Sequence, residues 1–303
     1  MTRQFNRNYV LTVTNLKTKT QVDITNLKLA FSLSRNTDSM SSKAKVQVYN
    51  LAPKTREFLT VVNNKDSTPN LEVELKCGYG LDTNNLKTII KGKAIGFHEW
   101  RPPESISTFQ VSDGLFEQAL AKVNNSYKKG KPYKDIIKDL MNAIGLPIGK
   151  SDVEEIQGSL PKARVFNASP KKSLDELGEL LGFRYIVENS FQSIRLKSKD
   201  NAPAESVKAF LLDLNTGLIG QPFQRGDFII AKCLFNPNIR INDYVTVKSS
   251  TLQSEGTYRV IEVKGKGDTF SQAWEMELTL SLQDTLLLLN DIKDIIDTGV
   301  TYA

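Results

Sequence analysis

The sequence predicts a mainly β protein with an α+β insertion, in which two similar small β-barrel units flank one α+β module. Three observations lead to this reading. The hydrophobic period is two over residues 9–113, changes to 3.6 from residue 115, and returns to two beyond residue 209. A strand, a glycine-led strand, a polar loop and a returning strand occur in the same order in both β regions. Over 303 residues, 40% hydrophobic and 24% charged composition is that of an ordinary globular chain with enough apolar surface for a packed core.

The first unit is read as residues 1–114. Its strands are Tyr9–Val13, Leu27–Leu33, Lys45–Tyr49, Leu71–Cys77, Thr88–Phe97 and Ser107–Val111, short alternating or β-branched runs separated by Asn, Gly, Ser and Pro. One short helix interrupts them over residues 53–62. It opens at Pro53, whose fixed φ suits a first helical position, and carries Phe58, Leu59 and Val62 on one face.

Residues 115–200 are read as the α+β module. Leu115, Phe116, Ala119 and Leu120 make a short helix. Tyr133, Ile136, Ile137, Leu140, Met141 and Ile144 follow helical spacing and stop at Gly145. A third helix is expected to begin at Ser169-Pro170, cap then first-turn proline, and to run through Leu174, Leu177 and Leu181 to Gly182. Arg184–Glu188, Asn189-Ser190 and Phe191–Leu196 read as a hairpin.

The second β unit is read as residues 201–283, with strands at Ala209–Leu212, Phe228–Leu234, Tyr244–Val247, Thr257–Val263 and Ala273–Leu282. Asn242-Asp243 and Gly265-Lys266-Gly267-Asp268 are expected to be turns, and Asn215–Pro222 a linker or tight turn. Residues 284–303 form an acidic C-terminal tail, read as an amphipathic helix over Asp284–Asp297 that docks a partner. The repeat sets Glu72–Lys76, Gly92–Phe97, a tryptophan and Phe109–Val111 beside Asp243–Lys248, Gly256–Ile261 and Trp274–Leu278. The match is weak by residue and consistent in order; chance likeness of two β meanders is the competing explanation.

Several functions are excluded or disfavoured. No run approaches the roughly 18 apolar residues of a membrane span. Met1–Asn8 holds two arginines with no apolar stretch behind them, so a secretory signal is not expected and folding in a cytoplasm is. Cys77 and Cys233 each lie inside a strand-like run and are expected to be buried free thiols. The one histidine, His98, sits in Gly96–Trp100 between two strand-like runs and is expected to be structural. There is no CxxC, HExxH or EF-hand spacing and no acidic pair that stands out. No catalytic, cofactor-binding or metal-ligating residues are assigned, and the chain is not expected to be an enzyme. Lys264–Thr269 is rich in glycine but lacks a phosphate-cradle spacing and a following helix, and reads as a hairpin turn.

Net charge is +6, which permits nucleic-acid contact. The excess is local. Residues 121–150 hold Lys122, Lys128, Lys129, Lys131, Lys134, Lys138 and Lys150 against Asp135 and Asp139, while the C-terminal tail sets Asp284, Asp291, Asp294 and Asp297 against Lys293. Opposed patches suit protein contacts as well as DNA, and a solvated lysine-rich face is the plainest account. Only Tyr127 and Tyr133 accompany the lysines, so stacking-based base recognition is not expected.

Taken in order, Val46–Leu51 before the short helix, Cys77–Gly80, Phe109–Gly114, Tyr185–Asn189, Thr216–Pro222, Gly256–Val260, Gly267-Asp268 and Trp274 resemble the baseplate hub proteins of contractile-tailed bacteriophages. The resemblance spans residues 27–282. It implies two tube-type β-barrel domains per chain and a homotrimer whose pseudo-sixfold ring joins the sixfold tail tube to the threefold central spike. Implied partners are the spike, the tail tube protein and tube initiator, baseplate wedge proteins, the tape measure protein, and genomic DNA passing through the lumen without sequence readout. The implied location is the virion tail baseplate, assembled in the host bacterial cytoplasm. The lysine-rich patch is expected on an outward or spike-facing surface. Two other readings stand beside it: a non-specific nucleic-acid-binding protein built on small barrels, and a tail-associated cell-wall hydrolase.

Overall fold

The computed structural model describes residues 6–37, 41–60, 69–80, 82–198, 209–249 and 256–282, with residues 57–60, 168 and 282 described by backbone alone. The tail expected at residues 284–303, and the Phe58, Leu59 and Val62 face of the short helix, lie outside the described residues and side chains. Among the described residues no helix is long and apolar enough to cross a membrane.

The first strand set comprises β1 (Arg7–Asn15), β2 (Gln21–Ile24), β3 (Leu29–Asn36), β4 (Lys43–Tyr49), β5 (Leu71–Tyr79), β6 (Lys87–Arg101) and β7 (Glu104–Ser112), with α1 (Pro53–Thr60) between β4 and β5. Strict alternation places Tyr9, Leu11 and Val13 of β1 and Leu29, Phe31 and Leu33 of β3 in the core. The sequence reading omits β2. It is a four-residue strand with one buried position, held to β1 by a turn in which Asn15 Oδ1 accepts from the Lys17 and Thr18 amides. β6 is longer than expected and carries His98 within the strand, opposite Ser107, rather than beyond its end.

The module contains α2 (Leu115–Leu120), β8 (Val123–Tyr127), α3 (Tyr133–Ile144), β9 (Arg164–Ala168), α4 (Pro170–Leu181), β10 (Phe183–Glu188) and β11 (Phe191–Leu196). Gly145 and Gly182 end α3 and α4 in the left-handed conformation, as their sequence positions require. Ser169 makes no side-chain cap. Pro170 brings no N–H to its first turn, which is held instead by the Ser173 amide and hydroxyl donating to the Ser169 carbonyl. The β8–β9 ladder was not legible because Asn124, Asn125 and Ser126 give β8 no apolar alternation. Fifteen side chains, from Val123 to Ile194, form a core of the module's own.

The second set comprises β12 (Ala209–Leu212), β13 (Phe223–Arg225), β14 (Phe228–Leu234), β15 (Tyr244–Val247), β16 (Gly256–Asp268) and β17 (Trp274–Leu282). Gly265–Asp268 is not a turn. It completes β16, pairing with β17 on one side and β3 on the other, and the chain reverses at residues 269–273. The glycines are there because aromatic rings need the space. A Cβ on Gly265 would stand 2.7 Å from Phe235, and one on Gly267 would stand 2.3 Å from Phe31 and 2.8 Å from Trp274. Those three rings meet edge to face at centroid distances of 5.3, 5.5 and 5.9 Å.

The hydrogen-bonded order is β3-β4-β7-β6-β5-β1-β2 in the first set, and β13-β14-β17-β16-β15-β12 in the second. Matched in chain order, β1 and β3–β7 correspond to β12–β17, with β2 as the extra strand. One ladder changes sense, since β1 is antiparallel to β5 and β12 is parallel to β15. The two tryptophans do not correspond: Trp100 closes β6 at 63% exposure and Trp274 opens β17 at 1%. The β3–β16 ladder merges both sets into one thirteen-stranded sheet with one continuous core.

Replacing Gly267 by alanine forces ring atoms of a close-packed cluster apart, and a loss of about 3 kcal/mol is expected in urea unfolding. Lys266→Ala, on the exposed side of the same strand, is expected to leave the urea midpoint essentially unchanged.

Candidate functional site at the three-way junction

β7 ends at Ser112, and Asp113 and Gly114 lead into the module. Asp113 is 1% exposed and its carboxylate accepts from the backbone amides of Asn189 (2.5 Å) and Ser190 (2.8 Å). These two residues form the β10–β11 turn, with φ of 53° and 65°, values that Asn tolerates and that match a type I′ hairpin. Ser190 Oγ donates to the Lys91 carbonyl, which ties the hairpin to β6 as well. Gly114 follows in the left-handed conformation, and a Cβ there would meet Val187 at 2.6 Å. The module hairpin is thus clamped against the end of the first strand set.

Glu188, the last residue of β10, ties in all three parts of the chain. Its Oε1 lies 3.8 Å from Arg35 Nη1 on β3 and 3.5 Å from Arg240 Nη1, just before β15. Arg35 occupies the inward position after Leu29, Phe31 and Leu33 and is 6% exposed. Burial lowers its pKa, which the charges of Glu188 and Asp113 oppose. Its Nη2 also donates to the Ile89 carbonyl, so the buried cation is neutralised and hydrogen-bonded. Asp243 accepts the Arg240 amide at 2.7 Å, and burial raises its carboxyl pKa.

Around these residues lies a cleft of about 380 Å³. Five cations line it (Arg35, Lys150, Lys171, Arg184 and Arg195) against two carboxylates, Asp152 and Glu188. Ile186, Val187, Ile194 and Ile241 supply apolar wall. Lys171 pairs with Asp175 and stands 5.9 Å from the Tyr185 ring, while Lys150 is exposed and has no ion pair among the described residues. Chemically the cleft suits a carboxylate-bearing ligand with apolar groups between its charges.

The residues singled out in the sequence lie elsewhere. His98 is held by Ser107 Oγ at Nδ1 and Arg56 Nη1 at Nε2, both at 3.2 Å, on the outer part of β6. Cys77 and Cys233 are buried free thiols in β5 and β14; burial pushes the Cys77 pKa well up and that of Cys233 to about 12. Among the described residues no group of His, Cys, Asp and Glu is placed to hold a metal. Of the seven lysines in residues 121–150, Lys122, Lys128 and Lys129 are exposed on the module, whereas Lys131 pairs with Asp135, and Lys134 and Lys138 pair with Glu154. Only Lys150 reaches the cleft. The junction was missed because its members are far apart in sequence, yet one sign was present: an arginine at a core-facing position of β3 demands a buried partner.

Burial raises the Asp113 carboxyl from 3.8 to about 6, against the two amide bonds and Arg35 that favour its charged form. Between these values the folded chain holds a proton that the unfolded chain has released, so this group's contribution to stability rises as pH falls through 6 and levels off below about 4. The chain is expected to gain about 1 kcal/mol from this group between pH 7 and pH 5 in urea unfolding, and Asp113→Asn to lose that increment. Asparagine offers one acceptor oxygen to two amides, so faster hydrogen exchange at Asn189 and Ser190 is also expected in this variant.

No protein-family model and no curated protein matches the sequence. Solved structures do match the fold. The 43 kDa tail protein of prophage MuSo2 from Shewanella oneidensis superposes with a TM-score of 0.62 at 11% identity, over 92% of this chain and 98% of that one. A tail protein from Neisseria meningitidis MC58 gives 0.62 at 8% identity, over 91% and 97%. An E. coli component of the type VI secretion system, which exhibits structural similarity to the T4 bacteriophage tail proteins gp27 and gp5, gives 0.56 at 10% identity over 84% and 73%. The fold of this chain, built of two matching strand sets and an inserted module, is therefore that of phage tail proteins, as the hub resemblance implies.

Proposed function

We propose that this chain is the structural hub of a phage tail baseplate or a related injection machine. Three copies form a ring of six similar β units that joins the sixfold tail tube to the threefold central spike. DNA passes through the lumen without base readout. The observation that carries this reading is the repeated strand order of residues 7–112 and 209–282, joined by the β3–β16 ladder. Two like units fixed in one chain let a threefold object present six near-equivalent surfaces to a sixfold neighbour. The role is non-catalytic, and the location is the virion tail, after assembly in the host bacterial cytoplasm. Partners in this reading are two further copies of the chain, the tube protein and tube initiator, the spike, wedge proteins and the tape measure protein.

The second strand set supports assembly through its edges. β13 and β12 each pair on one side only among the described residues. Beside them Phe223 and Phe228 are 56% and 41% exposed, and Leu211 and Leu214 are 44% and 75% exposed. Unpaired edges flanked by large apolar side chains favour association through strands.

Class averages of the purified chain in negative stain, with symmetry left free, are expected to show threefold rings with a central pore and six lobes. Phe223→Asp combined with Phe228→Asp is expected to weaken self-association at least tenfold in sedimentation while leaving the monomer's melting temperature within a few degrees. Uniform wild-type monomers that bind DNA in a strongly salt-dependent way overturn the hub reading and favour a nucleic-acid-binding protein.

A further inference from the structure

We propose that the junction cleft is a socket for the chain's own acidic C-terminal segment, residues 283–303. The inference does not rest on the hub reading.

Charge is the first argument. Of the cleft's five cations Arg35 is paired with Glu188 and Lys171 with Asp175, and Lys150, Arg184 and Arg195 also line it beside Asp152; the segment has Asp284, Asp291, Asp294 and Asp297 against Lys293. The segment also intersperses its acids with Ile292, Ile295 and Ile296, and the cleft intersperses its cations with Ile186, Val187, Ile194 and Ile241. A phosphate-like anion would use the cations alone; an acidic, isoleucine-rich peptide uses both kinds of wall.

Position is the second. β17 ends at Leu282, opposite Tyr258. The next residue of β16, Arg259, donates through Nη1 to Asn242 Oδ1 at 2.8 Å, and Asn242 lines the cleft. Thr37, also in the lining, donates its amide to the Ile261 carbonyl. Leu282, to which the segment is joined, therefore lies one strand away from the cleft wall. The segment's 21 residues, at up to about 3.3 Å each, have ample reach. Lys150, exposed and without an ion pair among the described residues, stands at the cleft ready to receive a carboxylate.

The test uses the full chain. Zero-length carbodiimide coupling followed by mass spectrometry is expected to join Lys150 or Lys171 to Asp291, Asp294 or Asp297. The yield is expected to fall several-fold at high salt, and at least tenfold in the double variant Arg184→Glu, Arg195→Glu. If that variant does not fold, Asp291→Asn, Asp294→Asn and Asp297→Asn together provide the second measurement. Amide exchange at residues 149–152 and 184–188 is then expected to quicken several-fold. Two results overturn the proposal. One is coupling of the segment to Lys150 and Lys171 no more often than to the exposed module lysines Lys128 and Lys129. The other, in a mixture of isotope-labelled and unlabelled chains, is coupling found only between copies.

Discussion

The close approach of three aromatic rings to a side-chain-free stretch of backbone is the constraint on which the rest of the architecture depends. Phe31 belongs to the first strand set and Phe235 and Trp274 to the second, and they meet over Gly265 and Gly267 of β16. Any Cβ at Gly267 would occupy the space of two rings. The rings in turn fix the register in which β3 lies against β16, and that ladder is what makes one sheet of two. Arg7 over the Trp274 ring at 5.7 Å and the Tyr79 hydroxyl donating to the Phe235 carbonyl at 2.8 Å bring β1 and β5 to the same place. The seam is thus a packed core, with hydrogen bonds at its margins.

The module is joined differently. It has its own apolar core and meets the sheet through polar contacts: two amides on Asp113, and Glu188 between Arg35 and Arg240. The Arg35–Glu188 pair, buried on the arginine side only, adds little net stability relative to apolar packing, but a buried guanidinium needs its acidic partner in place. The module can therefore be set at one angle to the sheet without sharing its core. The same charged groups border a cationic cleft in the angle between them.

Much of this was legible from the sequence. The alternation in residues 9–113 and 209–282 located most strands, and the 3.6 period located α3 and α4, because each element buries one face against a single layer. The repeat was visible as an order of elements although few residues match. The failures have common causes. Glycine in Lys264–Thr269 reads as a turn locally, and only tertiary contact with Phe31, Phe235 and Trp274 reveals it as strand. β2 and β8 are short or polar, and ladders with longer neighbours hold them. The junction assembles Arg35, Asp113, Glu188 and Arg240 from four distant places, so no window of the sequence contains it. Only the inward arginine of β3 hinted that a buried acid would be found.

The β3–β16 ladder also has a consequence in time. Leu29 and Thr269, which bond at its end, are separated by 240 residues. At a synthesis rate of about 5–20 residues per second, β3 waits roughly 10–50 s on the ribosome before its partner strand exists. During that interval its edge is open to any other nascent chain. Ser32, Ser34 and Asn36, exposed and uncharged polar, alternate along it with Leu29, Phe31 and Leu33, so a stray strand would find apolar surface chiefly on one face. The sheet is finished only after the strand that ends at Asp268 has been made, so folding of the first strand set is completed by the second.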